Sequence, residues 1–162
     1  MINLLSEIFI MKKIFIMKKI FIIAAAFFAA ATFEVRAGND RPIPVSQLPQ
    51  ASRLFLQTHF PGKQAAYAKQ ERDILEVTYE VVYPDGVKVE FRKGGEWKEV
   101  DCGHNPVPVS VVPASIADFV SRHYPQNFIR QIDRDSRDYE VELSGGLELA
   151  FDLEFRLIDI DD

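Results

Sequence analysis

A chain of 162 residues, 48% of them apolar and 27% charged, has room for one ordinary hydrophobic core or two very small ones. Its net charge of −5 argues against nucleic acid or an anionic membrane surface as partner, since both need clustered positive charge. The single cysteine, Cys102, excludes an intramolecular disulfide, so packing has to supply the stability.

The opening of the chain is unlike the rest. Lys12, Lys13, Lys18 and Lys19 precede an apolar run from Ile20 to Ala31, and Val35-Arg36-Ala37 carries small or β-branched residues where a signal peptidase reads. Residues 1–37 therefore read as a secretory signal, with Met1, Met11 and Met17 as alternative starts. The apolar run is shorter than the ~20 residues of a bilayer span, and no cysteine follows it to take a lipid anchor. The leader holds five of the 19 basic and two of the 24 acidic side chains, which leaves 14 and 22, a net charge of −8, for residues 38–162. The mature protein is expected to be periplasmic or secreted, not inserted in a membrane, with residues 38–42 disordered.

A repeat organises the mature chain. QTHFPG at residues 57–62 is echoed by SRHYPQ at 121–126, and Ile43-Pro44-Val45-Ser46-Gln47-Leu48-Pro49 matches Val107 to Pro113 at the same offset of 64. Beyond the second copy's shortened turn the offset becomes 60, pairing Gly86 with Gly146, Phe91 with Phe151 and Val100-Asp101 with Ile160-Asp161. Residues 43–102 and 107–162 thus read as two copies of one unit, with 103–106 as linker.

Each unit predicts a helix and then strands. Pro49 and Pro113 mark helix starts, while Pro61 and Pro125 stop the helices because the residue before a proline avoids helical geometry. Helical spacing suggests buried stripes of Ala51, Leu54, Phe55 and Thr58, and of Ile116, Phe119, Val120 and His123. Ile74 to Tyr83 alternates as a half-buried strand. The Pro84-Asp85-Gly86 turn leads into Val87, Val89 and Phe91, and Gly94-Gly95 turns again before Trp97 to Asp101. The second copy repeats this with Tyr139 to Leu143, Leu147 to Phe151 and Phe155 to Asp161. Residues 65–70 and 128–133 offer a further edge strand to each copy. The expected fold is α+β: two tandem repeats, each a helix followed by a three- to four-stranded antiparallel sheet covered on one face by the helix.

Parity along the last strand of each unit suggests a surface. With Val100 toward the helix, Trp97, Glu99 and Asp101 face away; with Ile158 and Ile160 inward, Leu157, Asp159 and Asp161 face outward. Trp97 and Leu157 align across the repeat and would stand on open, otherwise polar sheet faces beside Lys88, Glu90 and Arg92. An apolar patch rimmed by charge is suited to a partner. The alternative is that Trp97 and Leu157 are packed, between the copies or at a core edge.

The LP helix start, the HFP or HYP helix end, the YEV strand, the PDG turn and the closing Trp97-x-x-Val100-Asp101 resemble the PepSY-like exported domains of Bacteroidetes, which are similar in fold to the β-lactamase inhibitor protein. The resemblance spans most of residues 43–162; the second copy departs from it with Leu157 in place of the Trp and Gly145-Gly146 in place of Asp-Gly. It implies a periplasmic or secreted, non-enzymatic module that binds or inhibits another protein.

Other chemistry has thin support in the sequence. His59 and His123 suit a helix's last turn, where an imidazolium complements the dipole. Cys102-Gly103-His104 lacks a second ligand pair for a tetrahedral metal site, and Asp159 to Asp162 lacks the glycine-turned loop of a calcium cage. No nucleophile elbow, P-loop, His-Glu-x-x-His or dinucleotide fingerprint occurs, and no cofactor is implied. The expected function is binding of a protein or peptide of the cell envelope through Trp97, Arg92, Lys88, Glu90 and Leu157. The alternative is a periplasmic small-molecule or metal-ion binding protein.

Overall fold

The computed structural model describes residues 40–161; the expected signal peptide, its cleavage point and the alternative starts lie outside the described residues. Nine antiparallel strands form one continuous sheet in sequential order. They are β1 (Arg41–Ile43), β2 (Tyr67–Arg72), β3 (Val77–Val82), β4 (Lys88–Arg92), β5 (Trp97–Asp101), β6 (Ile129–Arg134), β7 (Asp138–Leu143), β8 (Glu148–Asp152) and β9 (Leu157–Asp161). Helix α1 (Gln50–His59) lies between β1 and β2, and α2 (Ala114–His123) between β5 and β6.

The helices end where proline chemistry dictates. Pro49 and Pro113 cap them from just outside, and Phe60 and Tyr124, each held by the following proline, leave the helix at φ −129°, ψ 53° and φ −133°, ψ 56°. The stripe expected on α1 is displaced by one position. Ser52 and Leu56 are buried with Phe55 beside them, whereas Leu54 is 63% exposed. Ser52 hid the true phase because a hydroxyl does not look like core. Its Oγ donates to the carbonyl of Gly95 at 3.2 Å, which satisfies it in place. Gly95, at φ +95°, lets the backbone come that close, for a Cβ there would stand 2.8 Å from that of Pro49. On α2 Ile116 and Val120 are buried as expected, but His123 is exposed.

A single transverse row shows how the core is built. Ala68, Val81, Val89, Val100, Ile132, Val141, Leu149 and Ile160 are successive cross-strand partners from β2 to β9, all buried except Ile160 in the last strand, which is exposed. Both helices cover this apolar face: Phe55 meets Phe91 edge-on at 5.6 Å, and Phe119 meets Phe151 edge-on at 5.4 Å. Alternation then leaves the neighbouring residues of every strand on the opposite, uncovered face.

The sheet departs from the expected layout in three ways. It is one sheet, not two, because residues 129–134 supply an interior strand that pairs with β5 as well as β7. The β5–β6 seam has only three residue pairs, Glu99 with Asp133, Val100 with Ile132 and Asp101 with Gln131. At the other end Arg41 and Pro42, expected to be disordered, belong to β1 and pair with Gln70 and Lys69. Ile74 and Leu75, expected in a strand, are 96% exposed in the turn before β3.

Candidate functional site

Trp97 and Leu157 are not on the open face. In β5 the register passes from Glu90–Glu99 directly to Phe91–Trp97, so Lys98 is an extra, bulged residue and Trp97 returns to the side of Phe91. Its ring lies 6.2 Å from Phe55 and 6.4 Å from Tyr139, among the core side chains. In β9 the same slip occurs at Ile158, which was expected to face inward and is 55% exposed, and sets Leu157 opposite Phe151. A bulge inverts parity, so the outward reading fails for both residues. Glu99, Asp101, Asp159 and Asp161 do face away from the helices, as expected.

What occupies the open face is charge. Beside the apolar row runs a second row of cross-strand partners: Lys69, Glu80, Glu90, Glu99, Asp133, Glu140, Ala150 and Asp159. Five consecutive strands therefore place carboxylates directly opposite one another, four adjacent like-charge pairs that each destabilise the sheet. The flanks are neutralised. Lys69 sits 3.4 Å from Glu80, Lys98 bonds Glu90 at 3.1 Å, Lys88 stands 3.6 Å from Asp101, and Arg130 pairs with Glu142. Arg92, at the end of β4, reaches Glu76 at 3.7 Å.

The centre is different. Among the described residues neither Glu99 nor Asp133 has a Lys or Arg within ion-pair distance; the Gln131 amide donates to Asp133 at 3.0 Å and to Glu99 at 3.5 Å. Burial, reinforced by Asp133, Glu90 and Asp101, pushes the Glu99 carboxyl up to about 7. Burial also raises Asp133, to about 6, against the Gln131 hydrogen bond, with Glu140 and Glu90 adding to the rise. Next to them lies a depression of about 180 Å³ lined by Gln131, Asp133, Glu140, Glu142 and Glu148. Such a surface can take up protons or cationic groups.

The remaining candidates have structural occupations. Cys102 is buried, and burial pushes its thiol up to about 11, which leaves it unreactive near neutrality. The His59 ring lies tilted against Phe55 at 4.4 Å, with Nδ1 2.8 Å from Ser110 Oγ; burial lowers its pKa, which works against the dipole-stabilised imidazolium expected there. His123 lies against Phe119 at 4.4 Å. Among the described residues no group of three or more His, Cys, Asp or Glu side chains is arranged to hold a metal ion, and no helix is long and apolar enough to cross a membrane.

The sequence profile of the PepSY-like, beta-lactamase-inhibitor-like family matches residues 77–159, just over half of the chain. The chain belongs to the PepSY-like family. Solved relatives agree. A periplasmic protein of Bacteroides thetaiotaomicron designated calcium-regulated is 50% identical and superposes with a TM-score of 0.75 over 76% of this chain and 97% of its own. Two periplasmic proteins of Bacteroides vulgatus are 47% and 33% identical, with TM-scores of 0.74 and 0.73 over 76% of this chain and 98% and 99% of theirs. No curated protein sequence matches. This PepSY-like chain is a periplasmic or secreted protein, in agreement with the expected localisation.

Proposed function

We propose that the protein is an exported, non-enzymatic binding module whose open sheet face receives a basic segment of an envelope protein or peptide. The observation that carries this reading is the carboxylate row from Glu80 to Glu140, unneutralised at Glu99 and Asp133. Opposed like charges weaken a sheet, and sequences depart from local stability rules chiefly where function requires it. Lysine or arginine side chains laid along the row would relieve the repulsion. Glu90, Lys88 and Arg92 keep their place in this surface, Lys88 and Arg92 as a rim that orients the partner, while Trp97 and Leu157 support it from the covered side. Inhibition of an envelope enzyme is the sharper form of the same proposal.

The two-copy organisation belongs to this reading. Its support is the match between α1 and α2, each of ten residues with the same terminal geometry, and their ring pairs at 4.4 Å and 6.4 Å in both halves. Duplication brings two negative open faces together at the β5–β6 seam.

Photo-crosslinking tests the assignment. A cross-linkable residue at Glu80 or Glu140 is expected to trap a partner in the periplasm, and one at Asp118 on α2 is not; adducts from Asp118 alone would rule the open face out. A second reading, a divalent cation bound on the same face, takes its support from the relative designated calcium-regulated. It predicts a rise in melting temperature with calcium alone, lost in Glu99→Gln/Asp133→Asn.

A further inference from the structure

A pocket of about 470 Å³ opens on the helix side of the sheet, beside α1 and the turn that follows it. That volume lies within the range of small-molecule sites, roughly 300–1,000 Å³. Leu56, Phe60 and Tyr83, all buried, give it an apolar floor, and Ala65 adds to the wall. Two cations line it as well. The exposed Arg53 forms no ion pair among the described residues. Lys63 bonds Asp85 at 2.5 Å and lies 5.9 Å and 5.6 Å from the ring centroids of Phe60 and Tyr83. An ammonium has three donors, so that bond leaves Lys63 able to take a second carboxylate.

A comparison within the chain separates these groups from the needs of the fold. At the offset of 64, Arg53 and Lys63 correspond to Ala117 and Asn127, and at 60 Tyr83 corresponds to Leu143. The backbone around Tyr83 and Leu143 is the same, each N–H donating to the carbonyl four residues on, at Val87 and Leu147. The second half therefore reaches the same helix and hairpin with neither cation, and carries its phenol at Tyr124, in the place of Phe60. The apolar lining is common to both halves, through Leu56 and Val120 and through Phe60 and Tyr124. The two positive charges are what the first half adds.

We propose that this pocket binds a small amphipathic carboxylate, its apolar body against Leu56, Phe60 and Tyr83 and its carboxylate on Arg53 and Lys63. The site is independent of the carboxylate row, which would repel such a ligand, and stands or falls separately from it. Decanoate and its uncharged counterpart decanol are the probes, titrated calorimetrically into wild type and into Arg53→Ala/Lys63→Asn, which copies the second half and so preserves the fold. Decanoate is expected to bind wild type and to bind the double variant roughly tenfold more weakly, as loss of charge-assisted bonds implies. Decanol should bind the two proteins alike. Methyl NMR shifts should fall on Leu56 and Ala65. Absence of decanoate binding to wild type, equal decanoate affinity for both proteins, or shifts confined to other methyls would each overturn the proposal.

Discussion

Replacing Glu99 with glutamine keeps the shape of the side chain and removes its charge from the middle of the row. An ordinary glutamate titrates near 4.5, and in the fold Glu99 is raised to about 7, first by burial and then by Asp133, Glu90 and Asp101. The folded protein thus holds this proton more tightly than the unfolded chain. Its ionisation costs the fold nothing below pH 4.5, a growing amount between 4.5 and about 7, and the full amount above. At about 1.4 kcal/mol per pH unit the ceiling is about 3 kcal/mol, and solvent screening of a half-exposed face reduces it to about 1–2 kcal/mol. Urea unfolding of wild type and Glu99→Gln across pH 4.5 to 8 reads this directly. The two are expected to be equally stable at pH 4.5 and to diverge until the variant leads by about 1–2 kcal/mol at pH 8. A variant no more stable than wild type at pH 8 would refute the claim that Glu99 is held against electrostatic cost.

Asp133→Asn should behave in the same way with its divergence complete nearer pH 6, and the double variant should gain less than the sum, because each removes the other's repulsion. Trp97→Ala is expected to lower unfolding free energy by about 2–4 kcal/mol in denaturant titrations, since the indole fills space between Phe55 and Tyr139; an unchanged midpoint would contradict its placement. Ser52→Ala should cost about 1 kcal/mol by leaving the Gly95 carbonyl without its donor, measured by the same titration. Cys102 should resist a thiol-specific reagent at pH 8 in native buffer and react once the protein is unfolded in guanidinium.

Features governed by local chemistry were legible in the sequence. Prolines set the limits of both helices, Asp85-Gly86 and the paired glycines marked hairpin turns, and two-residue alternation identified the core side of β3, β4, β7 and β8. Features that depend on the register between strands were not. The bulges at Lys98 and Ile158 have no glycine or proline to announce them, yet one extra residue turned Trp97 and Leu157 to the opposite face. The β5–β6 seam joins strands separated by a linker and a helix, so no hairpin turn fixes its register, and one sheet looked like two. The row from Glu80 to Glu99 was within reach, since two hairpins of known length bring those residues together. The step from Glu99 to Asp133, where among the described residues no Lys or Arg comes within ion-pair distance, needed the fold.

Amide chemical shifts during titration of the protein with an oligolysine peptide test the binding face most directly. Shifts are expected to concentrate at Glu90, Glu99, Asp133 and Glu140, to fall with added salt and to be largely abolished in Glu99→Gln/Asp133→Asn. Shifts centred on the helices, or on the open face but undiminished in that variant, would contradict a binding role for the carboxylate row.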